Sequence, residues 1–133
     1  MRLLYVSTFP PERCGIATYT YNLTQSIMEV EPSIDLKVLS FKINPWNDNG
    51  DLNGFDEGVE VLRWIEKEDL SSYLSSAKLI NQSDIDLVHI QHEFGIFGSR
   101  LGAYILDFVE RLEKPKIITF HSVHSNPEKE RKR

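Results

Sequence analysis

Five short apolar runs alternate with amphipathic, helix-spaced segments, and this alternation constrains the fold more than any other feature of the chain. The runs are Leu3–Ser7, Asp35–Phe41 (DLKVLSF), Val59–Ile65 (VEVLRWI), Asp86–Gln91 (DLVHIQ) and Lys116–His121 (KIITFH). The first, fourth and fifth are nearly continuous in apolar residues, as expected of strands covered on both faces. Ile16, Leu23, Ile27 and Val30 recur at helical spacing. So do Leu70, Tyr73, Leu74, Ala77 and Ile80, with Asp69 placed as an N-cap. A third stripe is Leu101, Tyr104, Ile105, Phe108 and Leu112, preceded by Ser99 and stopped before Pro115. Strands alternating with helices predict an α/β fold: a Rossmann-like, five-stranded parallel sheet flanked by helices and joined by right-handed crossovers. The connection between the second and third runs, KINPWNDNGDLNGFDEG, has no helical pattern and reads as a long loop.

A length of 133 residues suits a single domain over residues 1–133 or one part of a longer protein. A sheet that stops after its fifth strand favours the second, while the polar NPEKERKR reads equally as a solvated end or as the first turn of a helix that continues. A net charge of −5 argues against a nucleic-acid binder, which needs a basic face. One cysteine cannot form an internal disulfide and fits a reducing, cytoplasmic setting. No apolar run approaches the roughly 20 residues of a membrane span. The first residues lack the apolar core and small-residue cleavage site of a signal peptide. A peripheral membrane contact stays open, as does pairing between copies across an exposed sheet edge.

In open parallel sheets, ligands bind beyond the carboxyl ends of the strands. Three informative segments fall there: TFPPERCGIATYT, HEFGIFGS and HSVHSNP. In the first, Gly15 has two equally supported readings. It lets a ligand approach the first-turn N–H groups of a helix, or it merely permits a tight strand-to-helix connection. Thr18 and Thr20 add hydroxyls there. Cys14 reads as a small buried apolar residue. Neither a G-x-G-x-x-G fingerprint nor a P-loop ending is present.

In the second segment, His89 lies inside the strand and reads as a satisfied core histidine. His92 and Glu93 fall past the strand end. A histidine there can hold a sugar hydroxyl or exchange a proton, or else cap loop carbonyls. Gly95 and Gly98 bracket an apolar tip, Ile96–Phe97, that packs on the core or lines an acceptor pocket. In the third segment, His121 projects near the same cleft and His124 lies further out. No metal is expected: residues three apart on a strand point to opposite faces, so each H-x-x-H pair is a poor chelate. Asn49, Asp51, Asn53, Gly54 and Glu60 approach the spacing of a calcium loop, but a solvated turn explains them more simply. Trp64 reads as a packing residue, and Trp46 as either packing or a sugar-stacking platform.

Together, STFPPERCGIATYTYNL, VHIQHEFGIFG and KIITFHSVHSNP resemble the N-terminal domain of glycosyltransferase family 4, retaining enzymes of two-domain GT-B architecture. The resemblance spans nearly the whole chain and is weakest over residues 42–85. It implies transfer of a sugar from a nucleotide-sugar donor, needed as co-substrate with no further cofactor, to a hydroxyl of an acceptor sugar or glycolipid. It implies an acceptor-side domain, with the donor-binding C-terminal domain outside this sequence and the chain alone inactive. Under it, Gly15 faces the donor diphosphate, His92 lies near the transferred sugar with Glu93 orienting it, Gly95 shapes that loop, and His121 lies near acceptor or donor. Glu60 and Glu68 echo the spacing of the family's paired glutamates but sit in the wrong half, so that role is not carried over. Two other readings stand beside this one: a non-catalytic Rossmann-like binding module, and a nucleotide-sugar epimerase domain.

Overall fold

Alternating apolar patterns become alternating strands and helices in the computed structural model, which describes residues 1–43, 55–56 and 58–123. The order is β1 (Arg2–Val6), α1 (Gly15–Val30), β2 (Asp35–Phe41), β3 (Phe55–Asp56), β4 (Val59–Ile65), α2 (Leu70–Asn81), β5 (Leu87–His92), α3 (Tyr104–Arg111) and β6 (Lys116–Phe120). The sheet runs β3-β4-β2-β1-β5-β6. All five expected strands are present, and they pair in parallel. A sixth, β3, lies within the segment expected to be loop. It is antiparallel to β4, pairing Phe55 with Glu60 and Asp56 with Val59, and Gly58 turns the corner at φ 91°. Two residues are too few to show a strand's period, which is why the sequence pattern misses it.

The chain builds outward from β1 to β2 and β4, then returns to add β5 and β6 on β1's other side. This reversal leaves a crevice at the carboxyl ends of β1 and β5, where open α/β sheets bind ligands. Two apolar layers flank the sheet. On one face Leu4, Val6, Leu39, Ile65, Val88 and Ile90 pack with Tyr73, Ala77 and Ile80 of α2 and Ile105 and Phe108 of α3. On the other, Leu3, Tyr5, Leu36, Val38 and Val61 meet Tyr21, Leu23, Ile27 and Met28 of α1. Trp64 packs, half-buried, against the first layer, as expected. Among the described residues no helix is long and apolar enough to cross a membrane.

α2 follows its sequence pattern, with Asp69 Oδ1 accepting from Ser71 N–H at 3.0 Å. α1 differs in which side it buries. Its buried residues are Ala17, Thr20 and Thr24, while Val30 is 83% exposed. Small side chains let the helix approach the sheet closely, and the larger Leu23, Ile27 and Met28 close the flanks. Cys14 is not a buried apolar residue. It is the half-buried N-cap of α1, its Sγ accepting from Ala17 N–H at 3.4 Å.

α3 starts later than its apolar stripe implies. Ser99 and Leu101 both have positive φ, 68° and 57°, so residues Arg100–Gly102 form a tight 3-10 turn and Leu101 is left 42% exposed. Phe97 enters the core in its place. Trp46, Asn49, Asp51, Asn53, Gly54 and His124 lie outside the described residues, as does the terminal NPEKERKR.

Candidate functional site

The crevice is framed by the loop after β1. Ser7 N–H donates to Leu39 C=O at 3.1 Å, and Ser7 Oγ lies 2.8 Å from Thr20 Oγ1, tying the strand end to α1. Thr20 is wholly buried by that contact and is not available to a ligand. Further along, Arg63 of β4 reaches under the loop. Its guanidinium meets Glu12 Oε1 at 3.1 Å and donates to the carbonyls of Phe41 (3.0 Å), Phe9 (3.3 Å) and Pro10 (2.7 Å). Ser40 Oγ adds a 3.2 Å bond to the same Glu12 oxygen. A buried guanidinium bound in this planar, multidentate way holds the loop firmly against the sheet.

α1 then begins at the rim. Gly15 is exposed, and a Cβ added to it would meet nothing within 4 Å. Cys14 takes two of the first-turn donors, Ala17 N–H through Sγ and Thr18 N–H through its carbonyl. Among the described residues this leaves the Gly15 and Ile16 amides at the positive end of the helix dipole. Thr18 is also exposed, its Oγ1 donating to Cys14 C=O at 3.4 Å.

One turn into α1, Tyr19 sets its ring edge-on to that of His121, with centroids 4.8 Å apart. His121 is half-buried, and its Nε2 lies 2.7 Å from Oε1 of Gln91, a residue with no exposed surface. Gln91 Nε2 is 3.4 Å from His89 Nε2, which lies 2.7 Å from Thr119 Oγ1. His89 is thus satisfied, as expected. It is only half-buried, and its ring lies tilted at 32° against that of Tyr5, with centroids 4.9 Å apart. Burial, and secondarily His121, holds the His89 pKa below its usual value.

His92 goes elsewhere. Its backbone is at the rim, where its carbonyl accepts from His121 N–H at 2.9 Å. Its ring, however, lies against Phe94, Phe97 and Phe120, the residue is 8% exposed, and its buried Nδ1 has no hydrogen-bond partner among the described residues. Phe97 belongs to the apolar layer under α2 and α3, whereas His121 lies on the α1 side. The cause is register. His92 stands opposite Phe120 in the parallel ladder, so the next residue, His121, projects to the other face. The two imidazoles expected to share one cleft share a rim but not a face. Burial pushes the His92 pKa down, with Glu93 opposing and His121 reinforcing the shift.

Glu93 does not hold His92 in place. Its Oε1 accepts from Phe94 N–H at 3.0 Å and its Oε2 from Ser122 Oγ at 2.7 Å, so it ties the ends of β5 and β6 together. Gly95 has open space around it, and its carbonyl accepts from Lys67 Nζ at 3.0 Å. Ile96 and Phe97 pack on the core. Gly15, Thr18 and His121 thus fall on the α1 side of the crevice, while the His92 ring is turned away. Sequence reasoning missed Tyr19, Gln91 and the Glu12–Arg63 pair. Only Gln91 and Arg63 left a trace, as polar residues at inward positions of apolar runs.

These features define a Rossmann-like α/β domain with a polar rim at its topological switch point. No protein-family model matches the chain, and no curated protein matches it. Its fold is similar to part of a UGT transferase from Siraitia grosvenorii, whose crystal structure is in complex with UDP. The TM-score is 0.52 at 12% sequence identity, over 92% of this chain and 24% of that one. The chain therefore spans about a quarter of the length of that transferase.

Proposed function

We propose that this chain is the acceptor-side, N-terminal domain of a retaining glycosyltransferase of family 4 type. Such an enzyme moves a sugar from a nucleotide-sugar donor to a hydroxyl of an acceptor sugar or glycolipid, and a second, donor-binding domain completes it. Three motifs at three strand ends suggest the family, and the fold likeness to a transferase crystallised with UDP supports a nucleotide-linked donor.

The observation that carries the reading is the contact of Tyr19 with His121, which joins the first turns of α1 to the end of β6 across the switch point. In this arrangement the open amides at Gly15 and Ile16 face the donor diphosphate and stabilise charge as the leaving group departs. Thr18 offers its hydroxyl beside them. His121 holds a sugar hydroxyl and so positions the reacting carbon. The buried ring of His92 instead anchors the loop that carries Glu93 and Gly95.

Transfer assays on the protein that carries this domain test the reading, using labelled nucleotide sugars. His121→Ala should lower turnover about a hundredfold, the usual scale for losing a positioning contact in an active site. His92→Phe should keep most of the activity. Wild-type turnover in His121→Ala would rule out the proposed site.

A further inference from the structure

The hydrogen-bonded chain on the α1 face of β5 and β6 carries more information than a sugar-binding histidine requires. Gln91 has no exposed surface, and a buried amide is tolerated only when its polar atoms are engaged. Both ends of this one are: Oε1 at 2.7 Å from His121 Nε2, and Nε2 at 3.4 Å from His89 Nε2. An amide NH2 only donates, so the 3.4 Å contact needs the lone pair on His89 Nε2, whereas the Thr119 hydroxyl at 2.7 Å is able to donate or accept and fixes no direction by itself. An amide oxygen only accepts, so His121 Nε2 must carry a proton. In a neutral imidazole the lone pair is then on Nδ1.

We propose that Gln91 is a positioning residue that holds His121 as the Nε2–H tautomer, leaving Nδ1 as an acceptor for a ligand hydroxyl. The identity of that ligand as a sugar rests on the function proposed above; the tautomer does not. A carboxylate at position 91 would draw a proton onto His121 and turn both ring nitrogens into donors. A neutral amide avoids this and keeps one nitrogen able to accept from an O–H. The 2.7 Å separation at His121 lies at the short end of the N–H···O range, which places the amide oxygen rather than the NH2 against that nitrogen.

Long-range proton–nitrogen spectra of the 133-residue chain, labelled at histidine and recorded above neutrality, report the tautomers directly. The expected result is Nε2–H at His121 and Nδ1–H at His89. Gln91→Met, which keeps the volume without the amide, should release His121 to a mixture of tautomers. Gln91→Glu should shift His121 towards imidazolium at a pH where the wild type is neutral. His121 found as Nδ1–H in the wild type overturns the proposal, and so does an unchanged tautomer in Gln91→Met. If that variant does not fold, the wild-type spectrum and Gln91→Glu decide the matter. Adding UDP-glucose or GDP-mannose to the protein that carries this domain together with its donor-binding half separates the two claims. The expected tautomers with no ligand response at His121 would support the role of Gln91 and count against the sugar site alone.

Discussion

Two glycines near the crevice behave in opposite ways. A Cβ added at Gly98 would lie 1.6 Å from the carbonyl oxygen of Lys67 and 3.0 Å from the Tyr104 ring. Tyr73 closes the same junction, donating to Lys67 C=O and accepting from Gly98 N–H, both at 2.9 Å. Burial pushes that phenol's pKa up to about 12, which keeps it protonated as the bridge requires. Gly98→Ala should therefore force backbone apart and cost about 2–3 kcal/mol, read as a lower urea midpoint. Gly15→Ala meets nothing and should leave the midpoint unchanged or slightly higher, since alanine is the better helix former. Equal losses at both positions would contradict the packing described. In G-I-F-G the two glycines of the second segment look alike. What makes Gly98 obligatory is a carbonyl more than thirty positions away, which no local pattern announces.

At the scale of elements, the loop between β1 and α1 depends on an arginine from β4. The Arg63 side chain is 8% exposed and serves one carboxylate and three carbonyls. Arg63→Met keeps much of the aliphatic volume but removes every donor, leaving Glu12 charged and half-buried. A loss of about 3 kcal/mol is expected, on the scale of breaking one side of a buried ion pair. Proteolysis of the loop at Pro10–Arg13 should accelerate with it. A variant as stable and as resistant as the wild type would show that the loop holds without this anchor. α2 was legible because its cap and its apolar stripe coincide. α3 was less so, because Leu101 fits the stripe while its positive φ excludes it from the helix. Arg63 was visible only as a charge among Val61, Trp64 and Ile65, with its partner 51 positions away.

For the whole molecule, the buried His92 and the half-buried His89 predict how stability depends on pH. Burial lowers the pKa of His89 and of His92 from the ordinary 6.5. Between the lowered and ordinary values the unfolded chain binds more protons than the folded one, so stability rises with pH. The contribution is fully present above about 6.5 and is lost as pH falls through the folded values. Urea denaturation across this range should show the decline. His92→Phe, which keeps an aromatic ring among Phe94, Phe97 and Phe120, should make it shallower. An unchanged slope in that variant would mean that His92 does not titrate differently on folding.

The sequence by itself determined the five parallel strands, the three helices and the strand ends at which polar residues gather. Those follow from periods of two and 3.6 residues, which each segment carries within itself. The tertiary structure alone decided which imidazole faces α1, because strand order and register come from pairing between distant residues. One step along the β5–β6 ladder separates His92, opposite Phe120, from His121, and that step sends their rings to opposite sides of the sheet.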